Sequence, residues 1–232
     1  MAEERSDGGP HRVLILGRPG AGKGTQGIRL AEVLGVPHIS TGDIFREAMT
    51  TGTLLGRDVA AYLERGRLVP DPLVIRALES RLEEDDARTR GFVLDGFPRT
   101  VAQAEALECL VAPERISRAV ELVLTEREAT QRLLTRFVCA ECGHTVPRPV
   151  DGGRQADRAC ARCGGALLRR ADDDLPAIQR RLEEFERATR PLLEWLDLRG
   201  LLVTVDADRP PDVVAASVLD AIEPFSDQSF SR

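Results

Sequence analysis

The sequence predicts an α/β fold, a parallel β-sheet covered by helices on both faces. Three observations carry this expectation. Four short apolar runs, at 13–16, 92–95, 119–124 and 201–205, have the length and composition of buried strands. Segments with helical spacing separate them, and strands that alternate with helices pair in parallel with both faces covered. A glycine-rich turn follows the first run directly.

The first run, VLIL, ends in Gly17. After the turn, Ile28, Leu30, Ala31 and Leu34 keep helical spacing over 26–34 until Gly35-Val36-Pro37 closes that helix. The second run precedes a helical pattern over 100–110, where Cys109, beside Leu107 and Leu110, reads as a thiol packed in the core. Between the third and fourth runs, Ile178, Leu182, Phe185, Leu192, Leu193 and Leu196 again keep helical spacing. Two stretches break the alternation. Residues 40–69 read as short helices joined by glycine turns at Thr51-Gly52 and Arg65-Gly66. Residues 138–169 are rich in Gly, Pro, Arg and Cys, with too little apolar periodicity to build a core of their own. The 232 residues suit one principal domain with small inserts, and residues 1–10 and 225–232 read as disordered or flexible tails.

Composition excludes several classes. No apolar run is long enough to cross a bilayer, and the polar start MAEERSDGGPHR lacks a secretory signal, so the expected location is cytoplasmic, with no membrane partner. A net charge of -6 leaves no basic excess for a general nucleic-acid binder. Lys23 is the single lysine, every other Lys/Arg position being arginine, and it lies inside the glycine-rich turn. A compact ammonium and a branched guanidinium are not interchangeable in such a loop.

Gly17-Arg18-Pro19-Gly20-Ala21-Gly22-Lys23-Gly24-Thr25 has the character of a phosphate loop. Glycines let successive backbone N–H groups turn toward an anion, the following helix N-terminus adds its dipole, and Lys23 reaches the β- and γ-phosphates. Gly20, Ala21, Gly22, Lys23, Gly24 and Thr25 are therefore candidates for ATP binding, on a sheet of the P-loop NTPase type. Asp95, at the carboxyl end of a buried run, is positioned like the acidic residue that holds Mg2+ through water. A turn-forming aspartate before Gly96 is the plainer alternative.

Cys139-x2-Cys142 and Cys160-x2-Cys163 form two CxxC pairs with the spacing of a structural zinc site. Four thiolates would close the coordination sphere and supply the organisation that 138–169 lacks. Two disulfides are the alternative, disfavoured for a chain in a reducing compartment. His144 is a spare ligand that four cysteines do not need.

The GxPGxGKGT pattern, Ser40-Thr41-Gly42-Asp43 and Asp95-Gly96-Phe97-Pro98-Arg99, in this order, resemble the nucleoside monophosphate kinases and, among them, the adenylate kinase family, over about residues 12–205. The resemblance implies a division into a CORE (11–39, 70–134 and 174–224), a small helical NMP-binding insert (40–69) and a zinc-knuckle LID insert (135–173). It implies phosphoryl transfer from MgATP to AMP, giving two ADP, by a monomer. The AMP side would comprise Thr41, Arg46, Arg67, Leu68, Val69, Gly96, Phe97, Pro98, Arg99 and Gln103, together with Arg170 and Arg181. Arg46 and Arg99 can grip a phosphate bidentately, and Gln103 can meet an adenine edge with a donor and an acceptor.

On the ATP side the resemblance adds Arg132, Arg136, Thr145, Val146 and Arg209 to the phosphate loop. The catalytic charges would be Lys23, Arg99, Arg136, Arg170 and Arg181, with Asp172 and Asp173 as a hinge pair. The chain departs from the family pattern at Phe137, at Val146-Pro147, at 174–177 and at Ala207. Those departures concern contacts to the donor base and ribose. A kinase of the same class using GTP as donor, or UMP or CMP as acceptor, is the neighbouring alternative. The distant one is a zinc-ribbon interaction module using Arg148, Arg154, Arg158 and Arg162, which has no stacking aromatics beyond Phe137.

Overall fold

β1 (His11–Gly17) is apolar from Val13 to Leu16, and none of these four side chains is more than 3 % exposed. Such a strand is stable only with partners on both edges and cover on both faces. The structure, a computed structural model, describes residues 10–65, 67–113, 115–147, 159–170 and 172–222. Residues 1–9, 148–158 and 223–232 lie outside it, and with them most of the expected N-terminal tail, the whole C-terminal one, and Arg148, Arg154 and Arg158.

The main sheet is parallel throughout. β1 pairs with β3 (Gly91–Asp95) on one edge and with β4 (Arg118–Val123) on the other. β2 (His38–Ser40) extends the first side and β8 (Leu202–Asp206) the second, giving the order β2-β3-β1-β4-β8. Strand order reverses at β1, so the loop after β1 opens at the switch point where such sheets bind ligands. The four predicted strands are all present. β2 is an addition that the apolar pattern does not show, because three residues between Pro37 and a helix carry no periodicity.

Alternate strand residues feed two cores. Leu14, Leu16, Phe92, Leu94 and Ala119 face one side, with Val74 and Leu78 of α4 (Asp71–Leu82) and Ala104 and Leu107 of α6 (Val101–Leu110). Val13, Ile15, Val93, Val120 and Leu122 face the other, with Leu30 of α1 (Lys23–Leu34), Leu133 of α7 (Glu126–Leu134) and Val214 and Val218 of α10 (Pro211–Ile222). α5 (Asp85–Arg90) leads directly into β3. One expectation fails here. Cys109 is exposed, because it lies two residues past the buried Leu107, roughly 200° round the helix.

The helical pattern over 178–196 is one continuous rod with a fault in it. α8 (Leu175–Glu184) passes through a π-helical turn, Phe185–Thr189, into α9 (Arg190–Asp197). Pro191 has no N–H to give to the preceding turn and its ring crowds the carbonyl four residues back, a local cause for the looser winding. One extra residue rotates the helix face by roughly 100°. Accordingly Ile178 and Leu182 pack in the second core, whereas Phe185, Leu192, Leu193 and Leu196 pack in the first.

Two segments interrupt the alternation of strand and helix. α2 (Thr41–Thr50) and α3 (Leu54–Glu64) form a helical pair, capped by the hydroxyls of Ser40 and Thr53. Arg180 of α8 reaches the end of α3, donating to the Arg65 carbonyl at 2.9 Å. β5 (Arg136–Cys139), β6 (Thr145–Pro147) and β7 (Leu167–Leu168) make a small antiparallel sheet. Among the described residues no helix is long and apolar enough to cross a membrane.

Leu94 is fully buried in the central layer. Leu94→Ala is expected to cost about 2–5 kcal/mol of unfolding free energy, read from the shift in urea midpoint.

Candidate active site

The loop after β1 is a backbone cradle. Gly20 and Gly22 adopt φ of 87° and 93°, a region that side chains other than hydrogen avoid, and Gly22 caps α1. The first helical bond runs from the Gln26 N–H to the Gly22 carbonyl at 3.0 Å. The N–H groups of Lys23, Gly24 and Thr25 have no intrahelical partner and suit an anion. Lys23 Nζ donates to the carbonyls of Gly17 (2.8 Å) and Arg18 (2.9 Å), so the loop holds its own ammonium. Burial lowers the Lys23 pKa to about 8; Asp95 opposes the shift, and Arg99, Arg181 and Arg136 add to it.

Arg18, which the motif leaves unspecified, fastens this loop from outside. Its guanidinium donates to the Leu124 carbonyl at 2.9 Å, pairs with Glu186 of the π-helical turn and lies over the Phe185 ring at 5.5 Å. Nothing in the sequence connects position 18 to position 186.

Five predicted charges converge at the carboxyl end of the sheet. Lys23 feels Arg99, Arg136 and Arg181, and Arg170 feels Arg136 and Arg46. Desolvation, then Arg136 and Arg46, bring the Arg170 guanidinium down to about 10, and its Nε is buried with no hydrogen-bond partner. The carboxylate of Asp173 is fully buried and accepts from Arg136 Nε at 2.8 Å and from Arg181 Nη1 at 3.2 Å. Asp172 takes the same Arg181 nitrogen at 2.9 Å. Asp95, 9 % exposed, lies beside the loop, its Oδ2 3.5 Å from where a Cβ on Gly24 would stand. Among the described residues no protein group donates a hydrogen bond to its carboxylate, which suits a hydrated cation.

A separate cleft opens between α2, the segment before α4 and the β3–α6 loop. Seven of the residues on the expected acceptor side line it: Thr41, Arg67, Leu68, Val69, Gly96, Arg99 and Gln103. Arg46 pairs with Asp43 on α2 and lies against Gly42 at the same wall. Phe97 is not in the lining; its side chain is fully buried in the first core. Phe45, Leu63 and Val74 add apolar surface that motif reading missed, although Phe45 and Leu63 sit in the predicted helical insert.

Beyond the loop, Arg132 donates to the Ala207 carbonyl at 2.8 Å, and Arg209 lies 3.2 Å from Asp206, so α7 and the β8–α10 turn meet. Thr145 is exposed on β6, while Val146 packs inward against the cysteine cluster.

The four cysteine sulfurs lie within 4.8 Å of one another, Cys139 and Cys163 at 3.4 Å and Cys142 and Cys160 at 3.7 Å, all as free thiols. Each pair sits on a tight turn, with Gly143 and Gly164 donating back to the first cysteine's carbonyl. Gly165 is needed for the close approach, since a Cβ there would stand 3.0 Å from Cys139 Sγ. The Cys142 and Glu141 N–H groups lower the Cys139 pKa to about 7. A Gly165 N–H favours the Cys163 thiolate, but hydrogen bonds with Cys142 and Cys139 push it up to about 12. Several thiolates this close repel one another unless a cation sits among them, and a soft, tetrahedral donor set fits zinc. Among the described residues around them only Leu167 is a further buried apolar residue, with Phe137 and Val146 partly buried.

Comparison with known proteins agrees with this geometry. The family model described as adenylate kinase matches residues 15–201. An adenylate kinase of Caldicellulosiruptor saccharolyticus is 43% identical over 198 residues, 83% of this chain and 90% of the relative. One from Methanocella arvoryzae is 42% identical over 216 residues, covering 91% and 98%. A third, from Caldanaerobacter subterraneus subsp. tengcongensis, is 40% identical over 213 residues, covering 91% and 96%.

The buried ammonium has a measurable cost. Below about pH 8 Lys23 is charged in both the folded and unfolded chain, and its desolvation opposes folding. Between about 8 and 10.5 the folded chain has released this proton while the unfolded chain has not, so the cost fades as pH rises. The stability of Lys23→Met relative to the unsubstituted chain is therefore expected to be highest below pH 8 and to fall toward 10.5. Urea denaturation of both proteins at about pH 7 and about pH 10 measures this, and a pH-independent difference contradicts it.

Proposed function

The chain belongs to the adenylate kinase family, and on that premise we propose how its own residues divide the transfer of the γ-phosphoryl group from MgATP to AMP. It is a phosphotransferase that converts ATP and AMP into two ADP. The observation that carries the division of labour is the convergence of Lys23, Arg99, Arg136, Arg170 and Arg181 beside Asp95, between the phosphate loop and the acceptor cleft.

The loop from Gly20 to Thr25 binds the donor phosphates. Lys23 meets the β- and γ-oxygens, and Arg132 and Arg209, near the β8–α10 turn, flank the donor base. Thr145 and Val146 complete the donor side, Val146 through its backbone. In the acceptor cleft, Arg46 and Arg99 grip the AMP phosphate and Gln103 meets the adenine edge, with Thr41, Gly96 and residues 67–69 as walls. The backbone of Phe97 and Pro98 shapes the same wall. Arg170 and Arg181 serve both phosphates from the hinge.

The attacking atom is an AMP phosphate oxygen, already anionic near neutral pH, so no general base is needed. The chemistry asks for in-line positioning and compensation of charge on three phosphates. Asp95 would hold Mg2+ through water, and that ion would supply charge neutralisation for the donor phosphates. Residues 40–69 and 135–173 act as the NMP-binding and LID inserts on the remaining CORE, closing over the cleft to exclude water. The four cysteines hold a structural Zn2+, for which the small apolar cluster around them is the support. One chain carries both pockets and all five charges, which supports a monomer. Free thiols built for a metal support a reducing, cytoplasmic setting.

A coupled assay over ATP and GTP as donors and AMP, GMP, UMP and CMP as acceptors is expected to give highest kcat/KM for ATP with AMP. Lys23→Met is expected to lower turnover with that pair at least ~100-fold; near-unchanged turnover contradicts the assignment of the loop. Elemental analysis is expected to find about one zinc per chain. Its removal by a chelator is expected to unfold the segment around β5 and β7 while leaving the main sheet's unfolding transition in place.

A further inference from the structure

Gln103 is 2 % exposed, yet it lines the acceptor cleft, and both ends of its amide are already engaged. Its Oε1 accepts from the Arg99 backbone N–H at 2.7 Å, and its Nε2 donates to Asp71 Oδ1 at 2.6 Å. The backbone of Gln103 is fixed as well, donating to the Thr100 hydroxyl at 3.1 Å. An amide is nearly symmetric in shape, so its direction is set by its neighbours. Here one neighbour can only donate and the other, a carboxylate, only accepts. Reversing the amide would set an NH2 against an N–H and a carbonyl against a carboxylate, two repulsive contacts in a buried place.

Each end of the amide retains one further valence, a lone pair on Oε1 and a hydrogen on Nε2. The cleft therefore offers an acceptor and a donor in one order. A 6-aminopurine presents an exocyclic donor beside the N1 acceptor and matches that order. A 6-oxopurine presents an acceptor beside an N1–H donor and meets it in reverse. Asp71 itself belongs to another element, the first turn of α4, 32 residues away, and its carboxylate is occupied by Gln103.

We propose that Asp71 is a positioning residue that fixes the hydrogen-bonding order of Gln103, so that selectivity for a 6-aminopurine acceptor depends on a carboxylate that does not touch the nucleotide. This rests on the reading of Gln103 as the group that meets the acceptor base. The competing role for Asp71 is a first-turn acidic residue that only supports α4.

The test measures kcat and KM for AMP and for GMP, with ATP saturating, in Asp71→Ala, Asp71→Asn, Gln103→Ala and the Asp71→Ala/Gln103→Ala double variant, alongside Tm. Loss of a hydrogen bond to a charged group predicts that Asp71→Ala raises KM for AMP about tenfold with kcat within about threefold, and narrows the AMP-to-GMP ratio of kcat/KM by about tenfold. Asp71→Asn, whose own amide can meet Gln103 in either direction, is expected to narrow the ratio with little change in Tm. In the Gln103→Ala background Asp71→Ala is expected to have no further effect on the ratio. A lower Tm with an unchanged ratio in both Asp71 variants overturns the proposal and leaves Asp71 a helix-start residue. A Gln103→Ala variant with unchanged KM and ratio overturns the acceptor-side reading beneath it.

Discussion

Mutual repulsion among cations is the constraint around which this molecule is arranged. Lys23, Arg46, Arg99, Arg136, Arg170 and Arg181 form a linked set in which each acts on at least one other, in a chain whose net charge is -6. No single helix or loop could carry six such groups to one point. Each comes from a separate piece: the phosphate loop, α2, the β3–α6 loop, β5, the turn before α8, and α8 itself. The buried Asp173 and the neighbouring Asp172 offset part of the charge where Arg136 and Arg181 meet. On the proposed division of roles, substrate phosphates complete the compensation.

The layers of the fold follow from that demand. A parallel sheet places all its carboxyl ends on one edge, and the reversal of order at β1 leaves a gap there for the loop. Holding that loop still requires contacts from behind, which come from Arg18 and the π-helical turn. The turn serves two purposes, moving one rod between two cores and presenting Glu186 and Phe185 to the loop. The small antiparallel sheet faces a different problem. Among the described residues few apolar side chains are buried around β5 and β7, and four cysteine sulfurs cluster beside them.

What could be read in advance depended on whether a feature is local in sequence. The glycine-rich turn after β1, Asp95 at the end of β3 and the two CxxC pairs are each visible within a few residues of sequence. The four longer strands were legible for the same reason, being runs dominated by apolar residues. β2 was not, since three residues have no period. Cys109 was misread because neighbours in sequence on a helix are not neighbours in space. The partners of Arg18 and of Gln103 lie 168 and 32 residues away, and only the fold brings them together. Family resemblance pointed to Gln103, which lines the cleft, but gave no sign of the carboxylate behind it.

The single lysine has one more consequence, for covalent chemistry. Arginine side chains do not react with acylating agents as amines do, and a guanidinium stays charged at any physiological pH. Apart from the amino terminus, the chain offers such agents one primary amine, and the desolvation that lowers Lys23 to about 8 gives that amine an appreciable neutral, nucleophilic fraction. There are no surface lysines to act as decoys. Any acylation of this chain at a side-chain amine therefore falls on Lys23, and on the proposed role of that group modification and inactivation become the same event.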